Sequence, residues 1–213
     1  MNKLLVINAH PEVVSKISMS LQVFDHFLRT YKEHINDEEV IEQINLYEDV
    51  VPMIDKVVLS GWEKSRNGEP LTHEENEVLE RMNKILAQFK SANKYLIVMP
   101  LHNFNIPSKL KDYMDNILIA RETFKYTENG SVGLLNDGRS MVVIQASGSL
   151  YTNGDWYTEV EYSHKYLKSM FNFIGIEDFK ILRVQGTALL NTEDVLKNAL
   201  NTSDQLSIEL AKK

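Results

Sequence analysis

The sequence has no cysteine, so it excludes disulfides, thiolate catalysis and cysteine-ligated zinc or iron–sulfur centres. That composition fits a reducing cytoplasm, which is the expected location. Proline and glycine are sparse, at 5 and 9 residues of 213, and no Pro/Gly/Ser-rich linker, low-complexity tract or internal repeat interrupts the chain. One domain spanning residues 1–213 is expected. Long hydrophobic runs are missing too: Leu96 to Met99 is among the longest, far below the ~20 residues that cross a bilayer. The opening MNKLLVINAHPE has too short an apolar run, and no small-residue cleavage site, to read as an export signal. Positive charge is in deficit, with 23 Lys and Arg against 30 Asp and Glu and a net charge of −7. A surface of that sign repels phosphate backbones and anionic headgroups, so neither nucleic acid nor membrane is an expected partner. The six histidines include no H-E-x-x-H or comparable ligand spacing, and no metal site is expected.

What the chain does contain is an alternation. Short runs rich in Val, Ile and Leu recur at Lys3 to Asn8, Val40 to Leu46, Tyr95 to Met99, Met141 to Gln145 and Phe179 to Val184. The first, third and fourth are almost continuously apolar, as strands covered on both faces are. Between them lie segments of 3.6-residue period: Ser18 to Tyr31, Thr72 to Phe89, Pro107 to about Ile119, Tyr157 to Phe173 and Thr192 to Leu210. Thr72 with Glu75 forms a capping box, Pro107 suits a first turn, and Thr192 is a candidate cap. The pattern predicts an α/β fold, a doubly wound five-stranded parallel sheet with helices on both faces. Tyr47 to Leu71 and Arg121 to Arg139 are the two irregular stretches, expected as insertions within the domain.

Ligands of such sheets bind beyond the carboxyl ends of the strands, so the loops after the first, third and fourth strands are the candidates. The first loop has neither G-x-G-x-x-G nor G-x-x-x-x-G-K-[ST]. It places Ser15, Ser18, Ser20, Lys16 and His10 around a helix N-terminus, which suits a monophosphate. Simple capping by Ser18 is the competing reading. In the second loop, Pro100-Leu101-His102-Asn103-Phe104-Asn105-Ile106-Pro107 offers two amides, backbone N–H groups and apolar side chains, which suits the edge and face of a flat heteroaromatic ring such as a flavin. A rigid turn in which Asn103 and Asn105 satisfy their own backbone competes with it. In the third, Ala146-Ser147-Gly148-Ser149 is a small turn that a ligand can approach closely.

Taken together, Ala9-His10-Pro11, the Pro100 to Pro107 loop, Gly186 after a strand, and Thr123-Phe124-Lys125-Tyr126-Thr127-Glu128-Asn129-Gly130 followed by Val132-Gly133-Leu134-Leu135 resemble the FMN-dependent NADH-azoreductases nearly end to end. These are flavodoxin-like quinone reductases, often labelled acyl-carrier-protein phosphodiesterases. The resemblance implies FMN as bound cofactor and NADH as co-substrate. It also implies ping-pong hydride transfer through the flavin to a quinone or azo acceptor, without a protein nucleophile. His10, Lys16, Ile17 and Ser18 match the phosphate loop. Pro100, Leu101, His102, Asn103 and Phe104 match the loop along the ring. Ala146, Ser147, Gly148 and Ser149 match its pyrimidine end, without the long polar side chain and second glycine common in relatives. His102 replaces a frequent Trp or Tyr and is a candidate proton donor. Relatives are homodimers, which gives Phe124, Tyr126, Phe171 and Phe173 a candidate role beside the substrate or across the subunit boundary; ordinary core packing competes with it, for Phe171 more than for Tyr126.

Two other readings remain. Loop departures that abolish turnover would leave a non-catalytic flavodoxin-like protein that binds FMN or senses redox state. A hydrolase with Ser147 as nucleophile is disfavoured, because Gln145-Ala146-Ser147-Gly148-Ser149 is not a G-x-S-x-G elbow.

Overall fold

The computed structural model describes residues 2–213. Five strands, β1 (Lys3–Asn8), β2 (Val40–Asn45), β3 (Lys94–Pro100), β6 (Ser140–Ser147) and β7 (Asp178–Gln185), form one sheet in the order β2-β1-β3-β6-β7. Every pairing is parallel. All five expected strands are present, and β3, β6 and β7 each run beyond their apolar cores. A further pair, β4 (Phe124–Thr127) and β5 (Gly130–Gly133), makes a separate antiparallel hairpin.

Alternation along the strands sorts the apolar side chains into two cores. Leu4, Val6, Leu96, Val98, Val142 and Ile144 face α1 (Met19–Lys32) and α7 (Thr192–Ala211). On the opposite face, Leu5, Ile7, Tyr95, Ile97 and Val143 meet α3 (His73–Ser91), α4 (Ser108–Ile117) and α6 (Tyr162–Ile174). A strand of continuous apolar residues is what a three-layer arrangement requires, because both of its faces are covered.

Helix ends follow their caps. Thr72 and Glu75 form the expected capping box: Glu75 N–H donates to Thr72 Oγ1 at 3.2 Å and Thr72 N–H donates to Glu75 Oε2 at 2.8 Å. The last helix is capped by Asn191 rather than Thr192, since the Asn191 carboxamide accepts from both Glu193 and Asp194 N–H. Neither irregular stretch is structureless. Within Tyr47 to Leu71 lies α2 (Lys56–Asn67), capped by Asp55 and ended by Gly68 at φ +71°; within Arg121 to Arg139 lies the β4–β5 hairpin. The predicted helix Tyr157 to Phe173 is two helices: the single turn α5 (Trp156–Glu159), then α6, with Val160 and Glu161 buried at the break.

The sheet order reverses at β1, whose neighbours are β2 on one side and β3 on the other. In such sheets the crevice above that reversal is the place where a ligand fits. No helix among the described residues is long and apolar enough to cross a membrane.

Candidate active site

Above the carboxyl ends of β1, β3 and β6 the three candidate loops are fastened to one another. Ala9 N–H donates to Val98 O at 2.9 Å, and Leu101 N–H donates to Ala146 O at 2.8 Å. The loop after β6 is tied to the end of β7 by Thr187 N–H to Ser147 O at 3.2 Å and Gly186 N–H to Ser149 O at 3.1 Å. All three therefore share one sheet edge, as the topology demands.

The first loop runs into the N-terminus of α1. Ser18 occupies the cap position, but its hydroxyl stands a long 3.5 Å from Leu21 N–H and 3.0 Å from Ser20 Oγ. Neither Asp nor Glu lies in the first turn. That end keeps unspent N–H groups and the positive end of the helix dipole. Lys16 and Ile17 are exposed, Ile17 at 86%. The half-buried His10 ring has Nδ1 against the Glu12 backbone, 2.9 Å from its carbonyl, and burial holds the imidazole below its ordinary 6.5. Burial thus works against a charge on His10, and Lys16 is the lysine this loop offers to an anion.

The second loop is a two-residue reverse turn. His102 N–H donates to Asn105 O at 3.0 Å, Asn105 N–H donates to His102 O at 2.8 Å, and the central residues have φ +48° at Asn103 and +64° at Phe104. Positive φ at both centres is a type I′ geometry. Asn tolerates it; Phe does so at a cost of about 1–2 kcal/mol. A strained backbone that the surroundings hold in place is a recurrent property of ligand-contacting turns. The Asn105 side chain bonds the backbone of Ile106, as the rigid-turn reading expects, whereas the Asn103 side chain has no protein partner among the described residues. The His102 ring is likewise exposed and without a hydrogen-bond partner. Pro100 and Leu101 are half-buried where the loop leaves β3.

In the third loop Ser147 is buried, donating its hydroxyl to Ser149 O at 3.1 Å, while Gly148 is exposed and an added Cβ there would reach no closer than 3.4 Å to Ala188. Among the described residues no histidine accepts from Ser147, whose hydroxyl is taken by Ser149 O, so no triad forms around it there.

Sequence reasoning missed the aromatic wall beside the second loop. Phe104 lies 5.4 Å from Trp156, 6.4 Å from Tyr157 and 6.5 Å from Tyr151, centroid to centroid. Trp156 remains 57% exposed. The signal was the exposed Trp-Tyr pair on a short turn after Gly154, two large aromatics that a polar loop does not need.

The hairpin residues separate into two groups. Tyr126 is 75% exposed, Phe124 is largely buried, and Phe173 packs against Phe124 at 4.7 Å between centroids. Phe171 takes the core-packing reading and not the substrate or subunit role: it is fully buried among Phe89 and Phe179 on the inner stripe of α6, so it reaches neither a substrate nor a partner surface. Its neighbour two positions on faces the hairpin because two residues along a helix turn the side chain by about 200°. Next to the hairpin, a groove of about 660 Å³ is lined by Leu59, Trp62, Leu118 and Phe124, and it continues past Trp62 into a second of about 470 Å³ beside Met82 and Leu86.

A family profile described as Flavodoxin-like fold matches residues 2–206. The chain is 68% identical over 213 residues, all of both chains, to FMN-dependent NADH:quinone oxidoreductase 1 of Bacillus cereus (strain ZK / E33L). It is 45% identical over 188 residues, 87% of each chain, to the protein of that name from Lactiplantibacillus plantarum. Among solved structures it resembles an FMN-dependent NADH-azoreductase from Bacillus anthracis str. Ames Ancestor in complex with FMN, at 69% identity and a TM-score of 0.98, covering 99% of this chain and 100% of that one. With sheet order, loop placement and whole-length similarity in agreement, the chain belongs to the flavodoxin-like family, in its branch of FMN-dependent NADH:quinone oxidoreductases and azoreductases.

Proposed function

We propose that this protein is an FMN-dependent NADH:quinone oxidoreductase that also reduces azo compounds, working in two half-reactions on one open face. The observation that carries the reading is the strained Asn103–Phe104 turn, held beside the α1 N-terminus at the point where sheet order reverses. The donor set fits FMN. Unspent N–H groups of α1, the hydroxyls of Ser15, Ser18 and Ser20, and Lys16 suit a phosphate. Asn103, with a carboxamide that bonds nothing in the protein, suits the polar edge of the ring, and Leu101 and Phe104 suit its face. Bound FMN supplies two-electron transfer between NADH and the acceptor.

The chain's own residues then bind, orient and shield. Ala146 to Ser149 approach the pyrimidine end with small side chains, leaving backbone groups to make the contact. His102 is the proton donor for the reduced acceptor, being exposed and without a protein partner. Trp156 and Tyr157 offer a planar acceptor an exposed aromatic surface beside the ring.

The working unit is a homodimer. Leu59, which is 56% exposed, lines the Trp62 groove with Leu118 and Phe124, and Tyr126 stands out from the hairpin that Phe124 begins. An open apolar groove of this kind suits an association site, and a second copy carrying the same hairpin can bring Tyr126 to the partner's open face. The reducing cytoplasm is the compartment consistent with a cysteine-free NADH-dependent enzyme.

A visible absorbance scan of the purified protein, repeated after FMN and then NADH under anaerobic conditions, tests the reading. A two-banded flavin spectrum that bleaches with NADH is expected, followed by recovery on adding a quinone. A flavin spectrum that NADH leaves unchanged would favour the non-catalytic binder, and failure to take up FMN would overturn both.

A further inference from the structure

Beneath the second loop lies a chain of buried polar groups that neither cofactor binding nor proton transfer uses. Glu161, 4% exposed at the break between α5 and α6, takes Arg183 Nε on Oε1 at 2.7 Å and Arg183 Nη2 on Oε2 at 2.8 Å. Its Oε1 also accepts from Gln145 Nε2 at 2.9 Å. Gln145 Oε1 in turn accepts from Ser163 Oγ at 2.7 Å, and Ser163 N–H donates to Phe104 O at 3.1 Å. Gln145 and Arg183 are register partners on β6 and β7, so the chain begins on the sheet and ends on the strained turn.

Each link is directional. Gln145 uses both ends of its amide, which fixes the amide's orientation between Glu161 and Ser163. Ser163 is the second residue of α6, where a backbone N–H has no partner in its own helix, and it spends that donor on Phe104. Glu161 directly follows Val160, the C-cap of α5, so holding its carboxylate also sets where Trp156 and Tyr157 stand beside Phe104. A buried ion pair is weak as a source of stability, since apolar residues of similar volume commonly do as well. What it supplies is a fixed direction.

We infer that Glu161, paired with Arg183, is a positioning residue that holds the Phe104 turn and the Trp156–Tyr157 wall in the geometry that receives the flat ring. The inference rests on the proposed flavin site, and its test has a readout that needs no flavin. In the full-length chain stripped of FMN, the protection of the Ser163 amide against hydrogen exchange reports its bond to Phe104 O. Glu161→Gln removes the charge with little change of shape. The double variant Glu161→Leu with Arg183→Met removes the pair and refills the space.

In both, Ser163 amide exchange is expected to accelerate about tenfold and the Kd for FMN, by flavin fluorescence titration, to rise about tenfold, the factor one displaced charge-assisted bond is worth. The double variant is expected to lose a few degrees of Tm, because Gln145 Nε2, buried with the pair, is left without its acceptor. A folded double variant with parental Ser163 protection and parental FMN affinity overturns the assignment. Should Glu161→Gln fail to fold, the double variant decides alone. Failure of the parent to bind FMN would count against the flavin reading only, with Ser163 exchange still deciding the role of Glu161.

Discussion

Asn103 and Phe104 carry the strain of the turn unequally, and the difference separates backbone from side-chain effects. Asn103→Gly keeps the positive φ at no steric cost and deletes the carboxamide, whereas Asn103→Ala deletes the carboxamide and adds about 1 kcal/mol of strain. Both variants are expected to weaken FMN retention, and only the alanine variant to lower Tm; parental FMN affinity in both, by equilibrium titration, would remove Asn103 from the site. Far from the site, Glu75 shows how one residue couples to pH. The Lys64 ammonium, 2.8 Å away, with Thr72 and Ser60, lowers its carboxyl from 4.5 to about 2. A carboxyl depressed in the folded state adds stability above its unfolded value and loses it as pH falls. The Tm difference between the parent and Glu75→Gln is therefore expected to be full at pH 6 and to shrink between about pH 4.5 and 2. A difference constant across that window would rule the linkage out.

At the scale of elements, the hairpin and the two-part α5–α6 segment place the aromatic groups. The hairpin docks through Gly133, where a Cβ would stand 2.3 Å from the backbone carbon of Ile174. Leu135 N–H then donates to Ile174 O at 2.9 Å. Gly133→Ala is expected to push the hairpin off α6, lowering Tm by several degrees and speeding proteolysis at Lys125, because backbone at that distance cannot yield as a flexible side chain can. Unchanged Tm and cleavage rate would show that the hairpin is not held there. The elements hardest to read were those with little buried apolar surface. In α2 only Val58 and Gly61 are buried, so the 3.6-residue period is weak; its legible signals were the cap Asp55 and the terminal Gly68. The hairpin has one buried residue at Phe124, and no alternation marked it.

For the whole molecule, the proposed dimer is the property to test. Light scattering is expected to give twice the 24.6 kDa chain mass, and Leu59→Glu, which puts a charge into the Trp62 groove, to shift the protein toward the single-chain mass with loss of turnover. A parent that is monomeric and fully active would refute the dimeric unit. The molecule's handedness and sheet order need no such test. Short buried strands separated by long amphipathic helices leave few alternatives once crossovers are right-handed.

The sequence by itself determined the α/β class, the five strands, the Thr72 capping box and the three loops at the sheet edge, because periodicity, caps and continuous apolar runs are local properties of the chain. Only the tertiary structure decided the rest. Phe171 and Phe173 have the same chemistry, but helix rotation buries one and turns the other to the hairpin. The Phe104–Trp156–Tyr157 wall joins residues about fifty positions apart, and the path from Arg183 through Glu161, Gln145 and Ser163 to Phe104 crosses two strands, a helix break and a loop. Contacts between distant segments depend on register and on the angle at which elements pack, and no local pattern encodes them.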